Sequence, residues 1–523
     1  MNTKVCFANQ GELIRLAFDA FGVLPRKEAD RDDFDEAAKK SIQKQLHRLA
    51  KEEGHLTTNF DESVELLGSI LLGYLPSTRM IQAVGAPMSD LHDAYNKVVR
   101  SEGTFLSKSQ TLQYFISVKA IPLLVMSLNH SLLRYRIEDY KLATPDDPFW
   151  YLPSWSDSRK PTLPLAKVMR WSYERCGLSQ TQFHFPGKCA ESDNNSLQHN
   201  LDNAFNWISG ASFPSLPALM KNFRESFKAQ AEIGREVPAL LQASVLTALV
   251  FARLASHIAE RVVETYGVGY LKDVCNQFKD YAQWIVDDIG EFKTELEPVM
   301  QKQTSPENAW ITWQHACSHF WGFFNAKIDH VADTLQRIQS THPDQPVRDD
   351  VIAALTTEYG RFAVCTRMDL YQRKVPLNPP EGFVDMVVQG FSLKRDPNTQ
   401  WQQIDEYAKR IAAYGLEEHL CWMEPWLRAV YHYRREDFTS AMEHYQIAFE
   451  HAKYRAGQHQ YDLVNQFVEV AAKNDNRRRF KKGIEWAQYM RIKVRWLRDD
   501  DPTEEKLDYV YRMLKRARYD HQL

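Results

Sequence analysis

Apolar residues in this chain recur at intervals of three and four from near one end to the other, and that spacing constrains the fold more than any other feature. A side chain returns to the same face of an α-helix every 3.6 residues, but to the same face of a strand every second residue. In "NFDESVELLGSILLGYL", Asn59 and Glu62 have the spacing of a capping box, and Val64, Leu67, Leu71 and Tyr74 stack on one predicted face. Similar stripes run through 107–135, 240–263, 270–289, 309–338 and 351–371. Strand-type alternation is missing, and so are Asn-Gly or Asp-Gly turns between β-branched runs. The expectation is an all-α, multidomain helical protein.

At 523 residues the chain outgrows a single core, so three or four modules are expected. Proline-rich breaks at "ATPDDPFWYLPSWSDSRKPTLP" (143–164) and "RKVPLNPPEGF" (373–383) divide it. The reading is an N-terminal helical domain over 1–158, a small module over 159–227, a central helical domain over 228–375 and a C-terminal repeat domain over 396–523. "GKCAESDNNSLQ" (187–198) reads as loop. A hydrophobic content of 44% is ample for packed cores, and a net charge of −3 gives no overall attraction to polyanions. Nucleic-acid binding therefore needs a local patch. Seven scattered cysteines without a C-x-x-C pair suit reduced thiols and a cytoplasmic location. The longest apolar stretch, 237–252, is shorter than the ~20 residues a bilayer requires, so a buried core helix and no membrane partner are expected.

The C-terminal quarter carries a repeat. "YHYRREDFTSAMEHYQIAFEHAKYR" places Ala441, Tyr445 and Ala448 at small–aromatic–small spacing behind the turn "REDF". This resembles the tetratricopeptide repeat, whose small residues let paired helices approach closely. Ala429 stands where that family has a glycine in its first helix. A second copy follows, with Phe480 repeating Phe438, Gly483 repeating Ala441 and Ile484 repeating Met442. The resemblance implies helical hairpins that bind a protein, a peptide or a second copy of the chain. The same region holds a basic run: Lys473, Arg477, Arg478, Arg479, Lys481, Lys482, Arg491, Lys493, Arg495 and Arg498, with Trp486, Tyr489 and Trp496 interleaved. Cations of this density track a phosphate backbone, and aromatics either stack on bases or fill the core. The acidic "DDDPTEE" that follows neutralises part of the run if it folds back.

A third pattern lies in the small module. "PLAKVMRWSYERCGLSQTQFHF" and "SLQHNLDNAFNWISGASFPSLPALMKNF" are punctuated by Gly177, "LSQ", Gly210 and "PSL". Gly177, Leu178, Ser179, Gln180, Trp207, Gly210, Pro214, Ser215 and Leu216 together resemble the Xre/Cro family of helix-turn-helix domains of bacterial and phage regulators. The resemblance implies that Gln180 meets a phosphate at the start of the second helix. It also implies that the third helix enters the major groove of DNA with Gln198, His199, Asn200 and Asn203. Against it, 196–213 holds no Lys or Arg and carries Asp202, so this helix gains little from counterion release.

No catalytic pattern competes. His315 and His319 in "HACSH" share a helix face with a metal-ligand spacing, but lack the glutamate of H-E-x-x-H and sit among Trp313, Phe320, Trp321, Phe323 and Phe324. Hydrogen-bonded histidines in aromatic packing are the simpler reading. Walker A, G-x-G-x-x-G and G-x-S-x-G motifs are missing. The expectation is a non-enzymatic DNA-binding regulator with a helical-repeat interaction surface and no cofactor or metal. The alternative is an interaction scaffold for protein or RNA in which the module does not touch DNA.

Overall fold

The computed structural model describes residues 18, 19, 44, 56–101, 105, 106, 108–155, 161–183, 194–341, 347–368, 379–497 and 502–517. These residues are helical, turn or irregular, with one isolated β-bridge between Ser154 and Thr162 and no strand among them. The protein is all-α.

Helix α1 (Leu56–Leu72) and helix α2 (Thr78–Ser101) open the described chain. The capping-box expectation fails here, because Asn59 lies inside α1 and is buried. The predicted stripe is also rotated. Leu56, Asn59, Ser63 and Ile70 face inward while Val64 is exposed, since Ser63 satisfies its hydroxyl on the Asn59 carbonyl at 2.7 Å and so tolerates burial. Helix α3 (Lys108–Tyr114) passes through a π-turn at Phe115–Ala120 into α4 (Ile121–Arg134).

Next come α5 (Pro164–Cys176), α6 (Gln180–Phe183), α7 (Asn194–Ser209) and α8 (Leu216–Glu232). The expected loop over 187–198 is thus helical from Asn194 onward. Helix α9 (Ala239–Gln301) merges two predicted stripes and kinks at Gly267, whose φ of 87° and ψ of 167° lie in a region only glycine occupies freely. Helix α10 (Pro306–Thr341) packs back against it, followed by α11 (Asp349–Tyr359) and α12 (Arg361–Met368).

The C-terminal part holds α13 (Phe383–Arg395), α14 (Trp401–Ala413), α15 (Met423–Arg434), α16 (Phe438–Ala452), α17 (Gln460–Lys473), α18 (Arg477–Tyr489) and α19 (Glu504–Arg516). Helices α15/α16 and α17/α18 are antiparallel hairpins. Each turn ends on a left-handed acidic residue, Glu436 or Asp475, followed by a capping side chain. Asp437 accepts from the Ser440 amide at 3.1 Å, and Asn476 accepts from the Arg479 amide at 3.0 Å. Ala441 and Gly483 occupy the close approaches, and a Cβ on Gly483 would meet Val468 at 2.6 Å. Caps and packing residues follow different registers. Asp437 to Asn476 is 39 residues and Ala441 to Gly483 is 42, so α18 starts about one turn earlier relative to its buried face.

One core gathers Val98 and Val99 of α2, Leu165 and Val168 of α5, Leu219 and Phe223 of α8, Leu249 of α9, and the hairpin residues Trp426, Tyr445 and Phe467. A second joins α4, the distal half of α9, α10 and α12 through Val125, Tyr281, Phe324 and Phe362. Helix α2 also closes onto the hairpins by side chain. Tyr489 donates to Asn96 and shares a hydrogen bond with His92, each at 3.2 Å, Arg100 donates to the Met490 carbonyl, and Gln460 donates to the Val99 carbonyl. His92 stacks on Phe60 at 3.9 Å, and burial pushes its pKa down to about 4.

Two stretches, Thr111–Arg134 and Ala239–Gln301, are long and apolar enough by length and composition to cross a membrane, beyond what the 16-residue run suggested, and half of each apolar window is buried in the fold. Arg253 sits inside the second of them, itself buried, donating to the Pro214 carbonyl at 2.6 Å.

Candidate functional site

The residues carrying the helix-turn-helix resemblance form a contiguous unit, α5 to α8. Pro164 occupies the first turn of α5, where its missing N–H costs nothing. Gly177 ends that helix in the left-handed conformation (φ 65°), and the Leu178 amide reaches back to the Tyr173 carbonyl at 3.0 Å. Leu178 is thereby buried, and Gln180 begins α6 half-buried. Gly210 (φ 73°) closes α7, and Ser215 caps α8 by accepting from the Ala218 amide at 3.2 Å.

Helix α7 has two sides. Ala204 and Trp207 are buried in the main core, and Trp171 of α5 lies in the same cluster. On the opposite side Gln198, Asp202, Phe205 and Ser209 are exposed at i, i+4, i+7 and i+11, with Phe205 66% exposed. The Gln198 amide donates to Asp202 at 2.8 Å. Asn200 and Asn203 are half-buried on the Trp207 side of the helix, away from this strip, while the His199 side chain falls outside the described residues. The rod is therefore free along one edge only.

Cations around the unit are divided. Lys167 is spent on Asp147 at 2.7 Å and on the Phe149 and Leu152 carbonyls. Arg224 donates to the Gly73 carbonyl at 2.8 Å and lies over the Tyr74 ring. Lys228 pairs with Glu225. Arg170, Arg175 and Lys221 are exposed and form no ion pair among the described residues.

The basic C-terminal run is largely consumed inside the molecule. Arg477 pairs with Asp508 and, at 3.8 Å, with Glu504; Lys481 meets Glu504 at 2.6 Å; Lys482 meets Glu450. Arg491 takes Asp93 at 3.0 Å, and Lys473 and Arg495 share the buried Glu469 at 3.8 and 3.9 Å. Arg478, Arg479 and Lys493 make no ion pair among the described residues, and Arg498 lies outside them. The interleaved Trp486 and Tyr489 are core, so they offer no face to a base; Trp496 is partly exposed. A continuous phosphate-tracking face is not what this run builds, because α19 and α2 bring carboxylates onto it.

The "HACSH" residues separate. Cys317 points inward, its thiol pushed up to about 12 by burial, whereas His315 and His319 face solvent instead of packing among the aromatics. The inward stripe is Trp313, Cys317 and Phe324, and helical geometry sends the two histidines to the other side. No group of three metal-ligating side chains is assembled among the described residues.

The described residues form two concavities. An open cleft of about 830 Å³ is lined by Asp280, Trp284, Asp287, Asp288 and Glu291 of α9 and closed by Gly360 and Arg361. A groove of about 270 Å³ lies between α17 and the segment after α18. The groove joins residues distant in sequence, so local spacing holds no signal for it, whereas the cleft's carboxylates at 280, 287, 288 and 291 share one face of α9 and only Gly360 and Arg361 come from far along the chain. Comparison with protein families, curated proteins and solved structures finds no match.

Proposed function

We propose that this chain is a DNA-binding regulatory protein. The unit α5–α8 is its helix-turn-helix, and the C-terminal hairpins, of tetratricopeptide-like type, bind a regulatory partner. The carrying observation is the exposed strip of α7 bearing Gln198, set on a unit whose capping glycines, Gly177 and Gly210, hold the turns that such a domain requires. Arg170, Arg175 and Lys221 are the cations available to phosphates, and they replace the C-terminal run in that role. Gln198 remains able to bond adenine, since Asp202 engages only one of its amide hydrogens. Asn200 and Asn203, on the buried side of α7, do not reach the groove in this reading.

Selection from a random DNA library, then a salt series on the enriched sequence, tests this. Three phosphate contacts give a log–log slope of about −3, and replacing Arg175 by alanine flattens it by about one. A chain that enriches no sequence, or binds equally after Arg170→Ala, Arg175→Ala and Lys221→Ala together, sinks the proposal.

A second reading has its own support. Asp202 repels phosphate and Phe205 offers an apolar anchor on the same exposed strip, which suits a protein partner better than a groove of DNA. Under that reading the chain is a non-enzymatic scaffold, and Phe205→Ser abolishes partner binding while any DNA affinity is unchanged.

A further inference from the structure

After α18 the chain passes through Ile492, Lys493 and Val494 without regular structure before turning at Arg495 and Trp496. Ile492 and Val494 are buried in the main core. Burial alternates along this segment, so Lys493 is exposed and Arg495 half-buried on the side away from that core. Asn465 of α17 fixes their register with both ends of its amide. It donates to the Lys493 carbonyl at 3.0 Å and accepts from the Arg495 amide at 3.0 Å. A third bond, to the Tyr461 carbonyl at 2.8 Å, locks the Asn465 rotamer.

These residues line the groove of about 270 Å³ together with Tyr461, Asp462, Gln466 and Val494. Among the lining residues Lys493 and Arg495 stand against Asp462, leaving one positive charge in excess, and Asp462 also faces Lys394. Behind the lining, Arg495 lies 3.9 Å from the buried Glu469, which Lys473 also pairs at 3.8 Å. Glu469 is held from below by Lys473 and by the Tyr433 hydroxyl, so Arg495 need not be its sole counterion. The volume is that of about nine waters, which fits a metabolite and excludes a folded segment.

We propose that this groove binds a small molecule bearing one oxyanion group, a phosphate monoester or a carboxylate. Lys493 and Arg495 take the anion, and Tyr461 contacts the remainder of the ligand. The site is independent of DNA binding and stands whether or not α7 reads a sequence.

Orthophosphate and acetate, titrated separately into the full-length protein at constant ionic strength, test it by ligand-observed NMR. Saturable one-site binding in either arm is expected, and the arm that responds tells phosphate from carboxylate chemistry. Lys493→Gln removes a charge-assisted bond, so affinity falls about tenfold or more. Asn465→Ala frees the register and weakens binding while leaving both cations present. Arg478→Gln, an exposed cation that does not line the groove, leaves it unchanged. Lys493 is exposed, so its variant keeps the fold, and an unaltered thermal melt verifies this. Binding unaffected by Lys493→Gln, or no saturation in either arm, overturns the proposal.

Discussion

Arg491 holds Asp93 at 3.0 Å, joining residues 398 positions apart in the chain. A cation that the sequence offers to a polyanion thus serves to seat the second helix on the last hairpin. Both partners are more than half exposed, so Arg491→Ala is expected to cost no more than about 1 kcal/mol. Tyr489→Phe strips the hydroxyl shared by His92 and Asn96 and is expected to cost about 1–3 kcal/mol. Urea unfolding of both single variants and the double variant checks the order. An Arg491 effect exceeding that of Tyr489 contradicts it.

His92 makes the same seam sensitive to acid. Its folded pKa of about 4 lies below the ordinary value of 6.5, so the unfolded chain takes up the proton first as pH falls. Its contribution is complete above about pH 6.5, declines between 6.5 and 4, and amounts to about 3 kcal/mol at most. His130, His419, His444 and His459 are also depressed by burial and act with the same sign. The comparison that isolates His92 is His92→Gln, which should flatten part of the stability–pH profile in that window. Parallel profiles for variant and wild type refute the assignment.

Gly483 lies where α18 meets α17. An added Cβ would approach Val468 at 2.6 Å and Phe467 at 2.9 Å, both core side chains with little room to yield. Gly483→Ala is therefore expected to destabilise by about 1–3 kcal/mol despite alanine's better helix propensity. Thermal unfolding that shows a stabilised variant removes this contact from the account.

Neighbours on α7 should behave oppositely. Trp207 is 9% exposed, and Trp207→Ala is expected to cost about 3–5 kcal/mol. Phe205→Ser should change stability by less than about 0.5 kcal/mol, because its ring already faces water. Denaturation midpoints decide, and a large loss at Phe205 means that the strip is covered in solution.

The helices were legible because burial imposes a period on the sequence: α9, α10 and α16 follow their apolar stripes, and Gly177, Gly210 and Ser215 punctuate where their chemistry requires. Facing was less legible. Apolar spacing points to Val64, but Asn59 and Ser63 occupy the inward face, since a polar side chain bonded to its own helix buries at small cost. The basic run misled for a different reason. Charge density along a sequence is local, but Asp93, Glu450, Glu469 and Asp508 reach it from other helices. The groove at Asn465 exists only once α17 and the 493–495 segment meet, so no linear motif announces it.

The closure of α2 against Tyr489 and Arg491 also sets a timetable. Ribosomes add about 5–20 residues each second, so α2 emerges roughly 20–80 s before the residues that complete its far side. Through that interval the nascent polypeptide carries an unfinished seam around Tyr95, Val98 and Val99, apolar and ready to mispair. Slower synthesis therefore lengthens the time for which that apolar surface stays uncovered.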